Sequence, residues 1–376
     1  MFSSRFRWDL KPNRLTELLR QKRRAAAPVL DLTESNPTHA GLQYDPAIAA
    51  ALADPRALRY DPAPAGMPEA RGAVARYYAR RGHAVAPEHI LLTASTSEGY
   101  AYLFKLLCDP GDEVLVPRPS YPLFEFLAEM ESVKVVQYPL AYHGEWAIDR
   151  QALAAALTPR TRAIVLVNPN NPTGSYLKRA ELEFLQSFGL PLISDEVFSD
   201  YAFAPDPARI ATLAGSAFVM SGLSKVAGLP QMKLGWIVVA GAAAMERLEW
   251  IADTYLSVAT PVQCAAAALL DAGEAVQRQI RGRCAANLAS LRQSLAGSAA
   301  GVLDVEGGWY ATIKMPRIRT EEEWTLELLE RQNVLLQPGF FYDFESEAFL
   351  VASLLTPPDA FHEGIGRLKG LLADSR

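Results

Sequence analysis

Five short apolar runs, each ending in a cluster of small or polar residues, constrain this chain most. They are Ile90-Leu91-Leu92 before Thr93-Ala94-Ser95-Thr96-Ser97-Glu98, and Val114-Leu115-Val116 before Pro119-Ser120-Tyr121-Pro122. Ala163-Ile164-Val165-Leu166-Val167 precedes Asn168-Pro169-Asn170-Asn171-Pro172-Thr173-Gly174. Leu190-Pro191-Leu192-Ile193-Ser194 precedes Asp195-Glu196-Val197-Phe198, and Ala217-Phe218-Val219-Met220 precedes Ser221-Gly222-Leu223-Ser224-Lys225. Continuous rather than alternating apolar runs predict strands buried on both faces. Helical stretches separate several of them, so the fold class is α/β, with a mostly parallel sheet sandwiched by helices. Strands of a parallel sheet end at one edge, where such folds place their ligands. The clusters at 95–97, 119–121, 168–174, 195–198 and 221–225 are therefore expected to converge on one pocket.

Each cluster also has a plainer reading. Ser95 or Ser97 at the start of a helix is an ordinary N-cap as well as a phosphate cradle. Asn171 suits a turn, Tyr121 suits core packing, and Asp195 suits a helix N-cap. Thr33-Glu34-Ser35-Asn36-Pro37-Thr38 after a short strand reads equally as a surface turn and as a loop closing over a ligand. Lys225 alone reads as one more solvated lysine, and what sets it apart is its place just past a buried strand.

At 376 residues, 50% hydrophobic and 21% charged, the chain suits a large domain with a smaller one. We place an N-terminal arm and part of the small domain at 1–45, and the large domain at 46–265. The bridging helix and C-terminal α+β small domain follow at 266–376, the helix region beginning near Thr260. A net charge of -5 gives no reason to expect nucleic acid or an anionic membrane as partner. Cys108, Cys264 and Cys284 are scattered, which argues against a disulfide framework or zinc site and for a reducing cytoplasm. The five histidines show no metal-ligand spacing, and no apolar run approaches a membrane span. The basic opening (Arg5, Arg7, Lys11, Arg14, Arg20, Lys22, Arg23, Arg24) lacks the apolar segment of a secretory signal. Pro12 followed by Leu15, Leu18 and Leu19 reads as the start of an amphipathic arm helix.

Taken together, in order and over nearly the whole chain, the motifs resemble those of fold-type I pyridoxal 5'-phosphate (PLP) enzymes, and within them the class I/II aminotransferases of the aspartate aminotransferase family. Asn171-Pro172-Thr173-Gly174 is similar to the NPTG motif, Asp195-Glu196-Val197 to the DE(V/I/A) segment, and Ser224-Lys225 to the SK pair. Tyr60 with Gly66, Gly307-Gly308-Trp309-Tyr310, and Gln337-Pro338-Gly339 resemble further family segments. The resemblance implies the fold-type I architecture, a large domain with a seven-stranded-type sheet plus a smaller α+β domain. It implies a homodimer with active sites at the interface, a small-molecule amino donor, and a 2-oxo acid acceptor. Lys225 would carry PLP as an aldimine and shuttle a proton between substrate Cα and cofactor C4′. Asp195 would keep the pyridine nitrogen protonated. Asn171 would bond the phenolic oxygen and help bind substrate, Tyr121 would stack on the ring, and Asn36 would contact substrate. Ser95, Thr96 and Ser97, with Tyr60 of the other subunit, would bind the phosphate.

Four positions depart from the family pattern. Phe198 stands where a tyrosine is common, and should raise the aldimine pKa. Lys233 replaces a phosphate-binding arginine and loses its bidentate fork. Gly222 replaces a serine, leaving Ser221 or Ser224 to serve. Val351, in Phe349-Leu350-Val351-Ala352-Ser353, occupies the position of the arginine that clamps the substrate carboxylate. The expected activity is transamination, with PLP-dependent elimination or cyclisation as the alternative and a non-catalytic module of the same fold as the third reading.

Overall fold

A computed structural model describes residues 3–6, 8, 11–205 and 217–374. Arg7 of the basic opening lies outside them. Eight strands form the main sheet, in the order Ile90–Thr93, Gly235–Val238, Ala217–Gly222, Leu192–Asp195, Thr161–Val167, Glu113–Arg118, Lys134–Tyr142 and Trp146–Ile148. The run from Ala217–Gly222 to Lys134–Tyr142 is parallel throughout. Gly235–Val238 is antiparallel to both its neighbours, so Ile90–Thr93 points the same way as Ala217–Gly222. The five apolar runs therefore end at one edge of the sheet.

Alternate residues of each strand serve opposite faces. Leu92, Leu115, Ile164, Leu192 and Val219 pack beneath the Pro68–Ala79 helix and the first turns of Thr260–Leu295. Leu91, Val114, Val165, Ile193 and Met220 pack beneath Thr96–Leu107 and Ala242–Asp253. Burial on both faces is what makes these runs continuously apolar. Lys134–Tyr142 carries polar residues and is only partly buried near the sheet edge, and with Trp146–Ile148 it extends the sheet beyond the expected seven strands.

The 36-residue helix Thr260–Leu295 joins this layer to a second core. There an antiparallel sheet of Gly301–Val302, Tyr310–Lys314, Phe349–Ser353 and Gln337–Pro338 packs with the helices Glu321–Gln332 and Pro358–Asp374. Its first strand, Gly301–Val302, is only two residues long. Leu30–Asp31 returns from the N-terminus to pair in parallel with Val334–Leu335. The arm helix starts at Arg14 rather than at Pro12, because Asn13 caps it: its Oδ1 accepts the Thr16 N–H at 2.8 Å. Leu15 of that helix is buried against Leu329 and Leu335. Among the described residues no helix is long and apolar enough to cross a membrane.

Candidate active site

A cavity of about 270 Å³ opens where the five strand ends meet. Ser95, Thr96, Ser97, Tyr121, Asn171, Asp195, Phe198, Ser224, Lys225 and Lys233 all line it. Strand ends, the turns and helix starts that follow them and, for Lys233, the turn before Gly235–Val238 bring them there. Three expected residues are not among its lining. Ser221 sits one residue earlier on the strand, 1% exposed, with its hydroxyl unpartnered, while Ser224 faces the cavity. Asn36 turns onto its own loop, its Oδ1 accepting from the N–H of Thr38 at 3.0 Å and the hydroxyl of Thr38 at 2.7 Å. Ser35 lines the cavity from that loop instead. Tyr60 is 77% exposed and borders a separate groove with Leu256 and Thr260.

Asp195 ends its strand inside the protein. Burial pushes its carboxyl up to about 6. The Val197 N–H at 3.2 Å, the Tyr100 hydroxyl at 3.3 Å and the charge of Lys225 all oppose that rise. Burial in turn lowers Lys225, and Asp195 pulls it back up. The two groups thus favour each other's ionised form in a poorly solvated site. Lys225 Nζ lies 5.2 Å from the centre of the Trp309 ring and 5.9 Å from that of Phe198. Those two rings meet edge to face, so the amine has an aromatic wall on one side.

The helix Thr96–Leu107 begins at the cavity. Ser95 is its N-cap, accepting the Glu98 N–H at 3.2 Å. The capping reading and the anion-site reading therefore coexist, since the positive end of a 12-residue helix faces the cavity. Gly235 lets the strand beside it approach: a Cβ there would stand 3.0 Å from the Ser95 carbonyl carbon and 3.2 Å from the Thr96 nitrogen. Gly222 opposes Gly235 in the same strand pair, and a Cβ on it would meet the Gly235 Cα at 3.0 Å. That tightness gives a physical reason for glycine where the family pattern has serine.

Tyr100 and Tyr310 also line the cavity and were not expected as site residues. Tyr100 looks like one member of an apolar helical stripe, and nothing local marks its hydroxyl as aimed at Asp195. Tyr310 arrives from the second sheet, more than 80 residues after Lys225. Val351 is fully buried in the second core, paired with Thr312 and Gln337. Among the described residues, no arginine lines the cavity.

The family model for aminotransferase class I and II matches residues 27–356, and the chain belongs to that family. Over 246 residues it is 30% identical to S-alkyl-thiohydroximate lyase SUR1 of Arabidopsis thaliana, covering 61% of this chain and 53% of that one. Over 213 residues it is 33% identical to glutamate-pyruvate aminotransferase AlaA of Escherichia coli, covering 53% and 52%. The chain thus spans about half the length of these curated relatives. Among solved structures, N-succinyldiaminopimelate aminotransferase from Mycobacterium tuberculosis superposes with a TM-score of 0.83 at 27% identity, covering 99% of this chain and 100% of that one. The architecture is that of fold-type I, a large mixed sheet of mostly parallel strands flanked by helices.

Members of this family use pyridoxal 5'-phosphate, and the cavity residues suit that group. Among the described residues the buried Oδ1 of Asn171 has no hydrogen-bond partner, although the side chain lines the cavity. A buried carbonyl oxygen left without a donor is costly unless a ligand supplies one. A buried carboxylate suits a ring cation, a lysine of lowered pKa suits an aldehyde, and a hydroxyl-rich helix start with Lys233 beside it suits a phosphate.

Proposed function

We propose that this protein is a PLP-dependent transaminase moving an amino group from an amino acid or amine to a 2-oxo acid. The observation that carries the reading is the meeting of Lys225, Asp195 and the unpartnered Asn171 carbonyl in one cavity. Bound there, PLP supplies an aldehyde that condenses with amines and a ring that accepts the electron pair left at an adjacent carbon. Lys225 would hold the cofactor, and its neutral Nζ would be placed to take a proton from substrate Cα. Burial favours that neutral form. Asp195 would pair with the pyridine nitrogen, its two oxygens oriented by Tyr100 and the Val197 N–H. Asn171 would hold the phenolic side of the ring and Tyr121 would stack on it. Ser95, Thr96, Ser97, Ser224 and Lys233 would hold the phosphate.

Tyr60, exposed on its own subunit, reaches the cavity of a second copy in this reading, so the working unit is a homodimer. The division into 1–45, 46–265 and 266–376 and a cytoplasmic, biosynthetic setting belong to the same proposal. The free cysteines support the reducing compartment.

Elimination on the same scaffold is the second reading. It is favoured by Val351, which cannot bind a carboxylate, and by the likeness to a relative named as a lyase. Mixing the holoenzyme with a panel of amines and amino acids, while following the cofactor spectrum, separates the two. Conversion to the pyridoxamine form supports transamination. Ammonia and keto acid released with the original spectrum restored support elimination. A spectrum unmoved by every amine sinks both.

A further inference from the structure

Lys225 sits on a helix of only four residues, Leu223–Val226. So short a helix leaves its closing carbonyls weakly served by the backbone, the Gly228 N–H reaching the Lys225 carbonyl only at 3.4 Å, and here they lie inside the protein, with Val226 4% and Ala227 0% exposed. Side chains from three distant segments supply the donors. The Tyr201 hydroxyl donates to the Lys225 carbonyl. The Gln277 amide donates to the Val226 carbonyl at 3.0 Å. The Tyr44 hydroxyl donates to the Gly228 carbonyl at 2.8 Å.

Gln277 also has a second attachment. The same Nε2 donates to Asp200 Oδ2 at 2.8 Å. Asp200 is itself fixed by the Tyr77 hydroxyl at 2.9 Å and by the Arg81 guanidinium. Asp200 and Tyr201 lie on the segment that starts at Asp195. Two ties, Tyr201 to Lys225 and Asp200 through Gln277 to Val226, therefore join the segment carrying the carboxylate to the turn carrying the amine. One helical turn before Gln277, Gly273 lets the long helix press on that turn, since a Cβ there would stand 2.3 Å from the Ala227 Cβ. Gln277 is buried and is not among the residues lining the cavity.

Resting on the aminotransferase reading, we propose that Gln277 is a positioning residue that sets Lys225 relative to Asp195 by clasping Asp200 to the Lys225 turn. Its amide alone among common side chains of this size offers two donors to two acceptors while its oxygen faces Arg281 at 3.3 Å. Leucine keeps the bulk and loses both bonds.

The test compares wild-type protein, Gln277→Leu and Tyr201→Phe. The first readout is amide hydrogen exchange of residues 223–229 in the apoprotein, which needs no cofactor. The expected result is exchange faster by about tenfold in Gln277→Leu over 223–229 and 196–201, with the Glu113–Arg118 strand unchanged. The second is the pH titration of the visible band of the lysine-bound cofactor, expected to shift by about half a unit or more in both variants. Wild-type exchange over 223–229 together with a wild-type titration overturns the proposal. So does exchange that rises uniformly across the protein with the titration unmoved, which marks a purely structural residue. Should Gln277→Leu fail to fold, Gln277→Met, unbranched and of nearly the same length, removes the same two bonds and decides on the same two readouts, Tyr201→Phe reporting on the neighbouring tie. If wild-type protein forms no lysine-bound band, the aminotransferase reading fails, while the exchange result still decides the clasp.

Discussion

The hydroxyl of Tyr100 donates to Oδ2 of Asp195 across 3.3 Å, from a helix whose first residues line the same cavity. In the proposed reading one helix would serve both ends of the cofactor, the phosphate at its start and the ring-nitrogen carboxylate one turn later. Hydrogen bonds to a charged acceptor contribute about 1.5–3 kcal/mol. Tyr100→Phe should therefore weaken cofactor binding by about tenfold and lower kcat/KM by a similar factor, with the fold intact by circular dichroism. Unchanged cofactor affinity in that variant would remove Tyr100 from the site.

Asp195 makes a second prediction through its pKa of about 6, raised by burial. A carboxyl with a raised folded pKa binds more protons folded than unfolded. Its favourable contribution is complete below about pH 4 and is lost as pH rises through about 6. In the apoprotein Asp195→Asn should then be the more stable form at pH 8, by about 1–3 kcal/mol, and nearly equal to wild type at pH 4.5. Activity should fall by a factor of about a thousand or more, because the ring nitrogen loses its counter-charge. Thermal melts of the two apoproteins at both pH values check this, and a destabilised Asp195→Asn at pH 8 contradicts it.

The strand ends were legible because burial on both faces writes itself into composition, and a polar cluster follows each buried run. Ser95, Tyr121, Asn171, Asp195 and Lys225 were all found that way. Side-chain direction was less legible. Ser221 and Ser224 are three residues apart, and only the pleat of the strand and the turn after it decide which one reaches the cavity. Asn36 and Ser35 are adjacent, and a local Asx turn takes up the first. Tyr100 and Gln277 left no signal, and Tyr310 showed only as the end of a motif with no role attached, because their roles arise from contacts between segments far apart in sequence. The partly polar Lys134–Tyr142 strand was missed for a simpler reason: near the sheet edge it is buried too little to read as a continuous apolar run.

Phe198 packs edge to face on Trp309, at 5.3 Å between ring centres, and brings no hydroxyl toward the cavity. Phe198→Tyr adds a donor that favours the deprotonated Schiff base, so the pKa of the visible band should fall by about one unit. A titration of both proteins across pH 5–10 measures it. A wild-type band already titrating at low pH would show that another group performs that task.

Lys233 stands on the cavity rim in a left-handed backbone conformation, φ +50°. Lys233→Met removes its charge and should weaken cofactor affinity by about ten- to a hundredfold, while Lys233→Arg retains or improves it. Fluorescence titration of apoprotein with PLP gives the three constants. Equal affinities in all three proteins would place the phosphate elsewhere.

The central claim, that Lys225 is the residue that binds the cofactor, is tested most directly by borohydride reduction of the PLP-loaded protein followed by peptide mapping. The account predicts one phosphopyridoxyl group per chain, on the peptide carrying Ser224-Lys225, and none in Lys225→Ala. An adduct on Lys233 or any other lysine, or a label that survives in Lys225→Ala at full stoichiometry, would contradict it.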